Sequence, residues 1–303
     1  MYRTLVILRH TFLESVVQPI YLLLLALGAG VLIVFGLLPF FTLGEDTVMY
    51  KAVSLDVVLL LALIMTLFAT SKSIYEEIED RTMLTLMSKP VGRWEVLVGK
   101  YLGIMAAALL AVAVLGTVAE LCIWYRIPSD YMLRQWTMDD REISQIWNYR
   151  LMHLAGFGPS LLLVWLEIGV LAAIGVALST RFSLVVNLPE VIIIYVAGNL
   201  TRFMFPLNPN QSIIVRAIAR LVALVLPYLA VFDLRNKTVY HTIALRNTQF
   251  WPGPGAAHQD VVYPGQIWAY VGIATLYGIA YAVFALSAGM WLFKSRELGW
   301  AEG

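Results

Sequence analysis

In a chain this apolar, the residues able to do chemistry stand out as interruptions. Glu167 falls near the middle of the apolar run Leu154 to Leu178, and Glu120 lies in the outer part of the run Tyr101 to Tyr125. A charge at such depth costs about 2.5–3.5 kcal/mol on insertion scales, so both carboxyls must face a protein interior or a water-filled path. Two roles fit that requirement. The carboxyls line a polar route or the seam with a second subunit, or they lock neighbouring helices through hydrogen bonds. Glu190, after Pro189, reads as interfacial. The four histidines, His10, His153, His241 and His258, show no i, i+4 pair and no other metal-ligand spacing. A single cysteine, Cys122, admits neither an internal disulfide nor a cysteine metal cluster, and reads as a small buried hydrophobe. The methionines are scattered, which gives no support to a copper-binding tract. No Ser/His/Asp set or carboxylate pair stands at membrane depth, so no catalytic, cofactor-binding or metal residue is assigned. No G-x-x-x-x-G-K-[ST] phosphate loop occurs, so the chain has no nucleotide site of that type.

The second constellation is the run from Tyr75 to Gly103, YEEIEDRTMLTLMSKPVGRWEVLVGKYLG. Glu76, Glu77, Glu79, Asp80 and Glu95 alternate there with Arg81, Lys89, Arg93 and Lys100, with Lys72 just before. Asp80 or Thr82 is placed to cap a short helix over 82–87. Met83, Leu84, Leu86 and Met87 give that helix soft apolar side chains suited to a partner's groove. Pro90 ends it and suits the first turn of the next helix. Val91, Trp94, Leu97, Val98 and Tyr101 then share one face leading back into the bilayer. A short transverse helix held between two helix extensions would pass force from a soluble partner into two membrane helices at once.

The elements that position these residues follow from composition. The 303 residues are 60% hydrophobic and only 14% charged, and mean hydropathy is +0.77. Soluble domains carry about 25% charged residues, so this is an all-α integral membrane protein. The net charge of +1 gives no reason to expect a nucleic-acid partner. Six runs reach the roughly 20 residues needed to cross a bilayer: 19–41, 55–74, 101–125, 154–178, 184–205 and 267–293. Residues 1–18 read as an amphipathic helix in the interface, with Leu5, Leu8, Phe12 and Val16 opposite Arg3, Arg9 and Glu14. A frayed start of the first span fits the same pattern. Arg9, His10 and Glu14 interrupt any signal-peptide core, so the first long run is expected to remain as an anchor.

Two stretches lie outside the spans. Residues 126–150 are polar with interleaved aromatics and read as an interfacial helix or small external cap. Residues 206–265 form a long connection whose apolar piece, 218–232, contains Pro227 and reads as re-entrant or surface-lying rather than as a full span. Lys and Arg cluster between the second and third spans, against Lys51 alone in the loop before. That places 75–100 in the cytoplasm, with both termini on the same side.

The 75–103 stretch resembles the type-2 family of ABC transporter permeases. The residues that carry the resemblance are Glu77-x-Glu79-Asp80-Arg81-Thr82, Leu86, Ser88-Lys89-Pro90-Val91-Gly92-Arg93 and Gly99-Lys100-Tyr101-Leu102-Gly103. It is most similar to the subset serving multicopper-enzyme and nitrous-oxide-reductase maturation. Arg81 stands where many members have glycine. The resemblance implies a single transmembrane domain in the cell membrane, paired with a second permease subunit, identical or not. Two cytoplasmic ATPase subunits would carry ATP and Mg, while this chain binds no cofactor. Glu77, Glu79, Asp80, Arg81, Thr82, Met83, Leu86, Met87, Pro90 and Arg93 would meet the ATPase. The activity implied is ATP-driven export. Two other readings stand beside it. One is a mechanical coupler acting on an extracytoplasmic protein partner, suggested by 126–150 and 206–265. The other is an ion-coupled secondary transporter using Glu167.

Overall fold

The computed structural model describes residues 2–38, 46–80, 92–133, 146–204, 226–239 and 264–294. Helix accounts for 93% of the described structure and no strand occurs there, so the all-α expectation holds. Seven principal helices follow in order: α1 Tyr2–Val17, α2 Pro19–Leu37, α3 Asp46–Thr70, α4 Arg93–Leu133, α5 Ile146–Ser179, α6 Leu184–Met204 and α7 Pro264–Lys294. By length and composition α2 to α7 can each cross a membrane, which matches the six runs expected. In the most apolar window of α5, 72% of residues are buried, against 17% in α2 and 22% in α6. α5 is therefore the central post. It carries α7, α4 and α3 on its sides, and α2 leans on α4 and α3.

α1 is a helix of its own. Gln18 turns the backbone extended (ψ 130°), and Pro19, which has no N–H to lose, starts α2. α1 packs along the beginning of α4, where Gly99 and Gly103 leave room for it. A Cβ on Gly103 would stand 2.6 Å from the Leu8 carbonyl oxygen and 2.7 Å from the Thr11 Cβ. The face of α1 turned inward is Thr4, Ile7, Thr11 and Ser15, with Thr11 and Ser15 fully buried. That face is rotated by one residue from the apolar stripe read in the sequence. Leu5, Val6 and Leu13 point away from the protein instead. Small side chains give close approach to the glycines, while Phe12 and Val16 of the stripe still pack on the apolar core.

α3 also differs from its expected bounds. It starts at Asp46, so Lys51 lies inside a helix and is fully buried rather than in a loop. At its other end it passes into a π-helical turn, Ser71–Glu76, and a last α turn, Glu77–Glu79. Similarly, α4 runs on to Leu133 and α5 begins at Ile146, so 126–133 and 146–150 continue these two helices.

Cross-helix bonds to backbone carbonyls brace the bundle. The Tyr21 hydroxyl donates to Ala107, Tyr50 to Leu32, Tyr101 to Gly169, and the Trp165 indole to Met105. The described part of the long connection, 226–239, is wedged into the bundle. It forms a 3-10 turn, Leu229–Phe232, and a helical turn, Arg235–Thr238. Leu229, Phe232, Leu234 and Val239 join the main apolar core. Its backbone groups find partners: the Tyr277 hydroxyl accepts from the Tyr228 N–H, and the Tyr270 hydroxyl donates to the Val231 carbonyl. Non-helical backbone inside a bundle is tolerated when it is satisfied in this way. Residues 218–225 lie outside the described residues.

Candidate functional site

Two arrangements of polar side chains stand out, one at the end of the bundle where α4 begins and one deeper inside. At the α4 end, Lys100 holds Glu77, which lies just before the expected coupling helix. Its ammonium lies 2.6 Å from the Glu77 carboxylate, donates to the Ser73 hydroxyl at 3.1 Å, and donates to the Ser73 carbonyl. Lys100 is buried, and Glu14 of α1 adds a nearby negative charge. The reason lies in the π turn. A widened turn disturbs the regular i, i+4 ladder, and Lys100 fastens the loosened turn to α4. Beyond it, the Asp80 N–H returns to the Glu76 carbonyl at 2.8 Å. Across the undescribed stretch, Gly92 precedes α4, and its N–H donates to the Glu95 carboxylate at 3.1 Å. That contact is the side-chain half of a capping box, three residues into the helix. Glu79 and Asp80 thus sit at the end of one helix, and Arg93 opens the next. Arg81, Thr82, Met83, Leu86, Met87 and Pro90 lie outside the described residues.

The deeper arrangement is a cavity of about 220 Å³ between α3, α5, α6 and the wedged segment. Glu167 lines it from α5 and is buried, with 7% of its surface exposed. The Asn199 side chain of α6 hydrogen-bonds Glu167, and its Nδ2 also donates to the Tyr195 carbonyl at 3.1 Å. Opposite, Arg235 of the wedged segment forms a 2.6 Å ion pair with Asp56 of α3 and stands 3.8 Å from Asp233. Arg235 lies outside the six spans. Burial works to lower its pKa, but the Asp56 hydrogen bond and the charges of Asp56, Asp233 and Glu167 outweigh it and hold the pKa above its ordinary value. The guanidinium is therefore a fixed positive charge facing three carboxyl groups.

The run 55–74 puts Asp56 at the edge of the second span. Because α3 starts at Asp46, Asp56 lies about 15 Å along the helix at 1.5 Å per residue, and it faces the cavity. Glu120 is not part of the cavity lining and is only partly buried on α4. The structure therefore does not bring Glu120 and Glu167 into one site. Near the start of α6, Glu190 leaves one buried carboxyl oxygen without a hydrogen bond. A separate buried set lies nearby: Lys51 reaches His153 Nδ1 and the Thr238 carbonyl, both at 3.4 Å, and Ser160 bonds the Thr238 hydroxyl at 2.7 Å. Among the described residues no group of three His, Cys, Asp or Glu could hold a metal ion.

The family model described as ABC-2 family transporter protein matches residues 14–298, most of the chain. No curated protein matches it.

Proposed function

Because the chain belongs to the ABC-2 transporter family, we propose that it is the permease subunit of an ATP-driven translocator, worked by a separate cytoplasmic ATPase through residues 75–100. Members of this family are multi-pass membrane subunits without a nucleotide-binding site of their own. The observation that carries the finer reading is the Lys100–Glu77 contact. It joins the helix end before the coupling stretch to the helix that follows it, so a push on either is felt by α3 and α4 together. Glu77, Glu79, Asp80, Arg81, Thr82, Met83, Leu86, Met87, Pro90 and Arg93 form the docking stretch in this reading. Two ATPase copies and a second permease chain complete the assembly, in the cell membrane with cytoplasmic termini. The maturation-permease subgroup is the subgroup we favour on the motif.

The test uses the permease purified with its ATPase. Replacing Glu79, Thr82, Pro90 and Arg93 together should loosen the complex and uncouple ATP hydrolysis from the permease. An intact, coupled complex would overturn the reading.

One observation also favours the mechanical-coupler reading. The wedged segment 226–239 ties the long outer connection to α3 through Asp56–Arg235 and to α7 through Tyr270 and Tyr277. Movement of α3 would reach the outer connection by this route, with no cargo passing through. Crosslinking from Trp251 to an extracytoplasmic protein would distinguish the two.

A further inference from the structure

We propose that the cavity between α3, α5, α6 and the wedged segment binds a small organic cation, an ammonium carrying apolar substituents, with the Glu167 carboxylate as its counter-ion. Asp56, Asp233 and Glu167 face one guanidinium, and Asp56 and Asp233 both lean on it, at 2.6 Å and 3.8 Å. Among the described residues, Glu167 has only the neutral Asn199 amide as a hydrogen-bond partner and makes no ion pair. It is more than nine-tenths buried and lines open space. A charge at such a depth is costly without a counter-charge, and a bound cation would supply one.

The walls set the chemistry further. Tyr195 and Phe232 line it with aromatic side chains, the type that attracts a cation, and Leu55, Leu59 and Val164 add apolar surface for its substituents. At about 220 Å³ the space exceeds the roughly 150 Å³ that holds benzene in an engineered cavity, so the ligand is more than a bare ion. A metal ion is disfavoured, because no three-ligand group is present among the described residues. An anion is disfavoured as well, since the one guanidinium already faces two carboxylates. Arg235 acts as a tethered cation at the cavity wall, held away from Glu167 by Asp56.

Binding stands on the cavity alone; that the bound cation is cargo rests on the transporter reading above. The test uses the full chain in lipid nanodiscs and titrates choline against its neutral isostere 3,3-dimethylbutan-1-ol by calorimetry. Choline keeps its charge at every pH, so the pair isolates charge from shape. The expected result is saturable choline binding, at least tenfold weaker in E167Q, with the neutral isostere well below choline. A second variant, D56N, frees Arg235 to turn toward Glu167 and should weaken choline several-fold, even where E167Q fails to fold. Absence of saturable choline binding, equal binding of the two probes, or unchanged choline binding in the folded variants would each overturn the proposal. Choline binding that persists in a permease whose ATPase coupling has failed its own test would leave the site standing and remove only its role in transport.

Discussion

The Lys100 ammonium stands 2.6 Å from the Glu77 carboxylate and also donates to both oxygens of Ser73, so one side chain of α4 closes a π-helical turn at the end of α3. Replacing it with methionine keeps most of the volume but leaves Glu77 and the Ser73 carbonyl without this partner. A buried polar group left unsatisfied costs about 1–3 kcal/mol. K100M should therefore destabilise the purified protein by an amount of that order, seen as a lower thermal midpoint. E77Q should cost less, because an amide oxygen still accepts from the ammonium. Equal losses in the two variants would mean that the Ser73 contacts contribute nothing.

α1 depends on the lack of a side chain at Gly103. Gly103→Leu would drive a Cβ to within 2.6 Å of the Leu8 carbonyl oxygen, a backbone atom that cannot swing aside. Overpacking of this kind costs typically 1–3 kcal/mol. The cheapest relief is for α1 to lift off α4 while the rest of the bundle persists. Gly103→Leu should therefore speed hydrogen exchange along α1, Tyr2–Val17, while α5 stays protected and the protein remains folded.

How much of this was legible in the sequence depends on what kind of contact is involved. The six spans follow from apolar length alone, which no distant residue can alter. Glu167 was recognisable for the same reason, since a carboxyl deep in an apolar run must find an interior. Its companions were not. Arg235 comes from a connection with few regular signals, and Asp56 was taken for a span edge because the start of α3 was set nine residues late. Lys51 was lost to the same error. The packing face of α1 has no apolar signal in the sequence, because the residues that meet Gly99 and Gly103 include the small polar Thr4 and Thr11. The π turn has no pattern in the residues of Ser71–Glu76. Its only forewarning was a buried lysine waiting on the next helix.

Lys51 invites a substitution of the opposite sign. Its ammonium is about 1% exposed, its two hydrogen-bond contacts are long at 3.4 Å, and it forms no ion pair with a described carboxylate. Burying a charge on such terms is unfavourable, and an apolar residue of similar length removes that cost. K51M is expected to leave the thermal midpoint unchanged or raise it. K51A removes the same charge but opens a hole, and should lose about 2 kcal/mol or more. If both variants are destabilised alike, the ammonium itself is stabilising.

α2 presents little surface to the bundle, and its far end is fastened by Arg126 of α4. The guanidinium donates to the carbonyls of Phe35 and Gly36, at 3.1 and 3.0 Å, and lies 5.8 Å from the centre of the Tyr50 ring. Those carbonyls belong to the last turn of α2, where the helix leaves acceptors unfilled and its dipole favours a cation. Hydrogen bonds to a charged group contribute about 1.5–3 kcal/mol each when measured by deletion. R126M should therefore release the end of α2 at a cost of that order, seen as faster hydrogen exchange from Val34 to Leu38 with α5 unchanged. R126K retains the charge, but both bonds come from one guanidinium nitrogen, Nη1, at the tip of a longer planar head, and a shorter stem does not place its ammonium there, so it should recover only part of the protection. Full recovery by lysine would mean that charge at the helix end, rather than the paired bonds, is what holds α2.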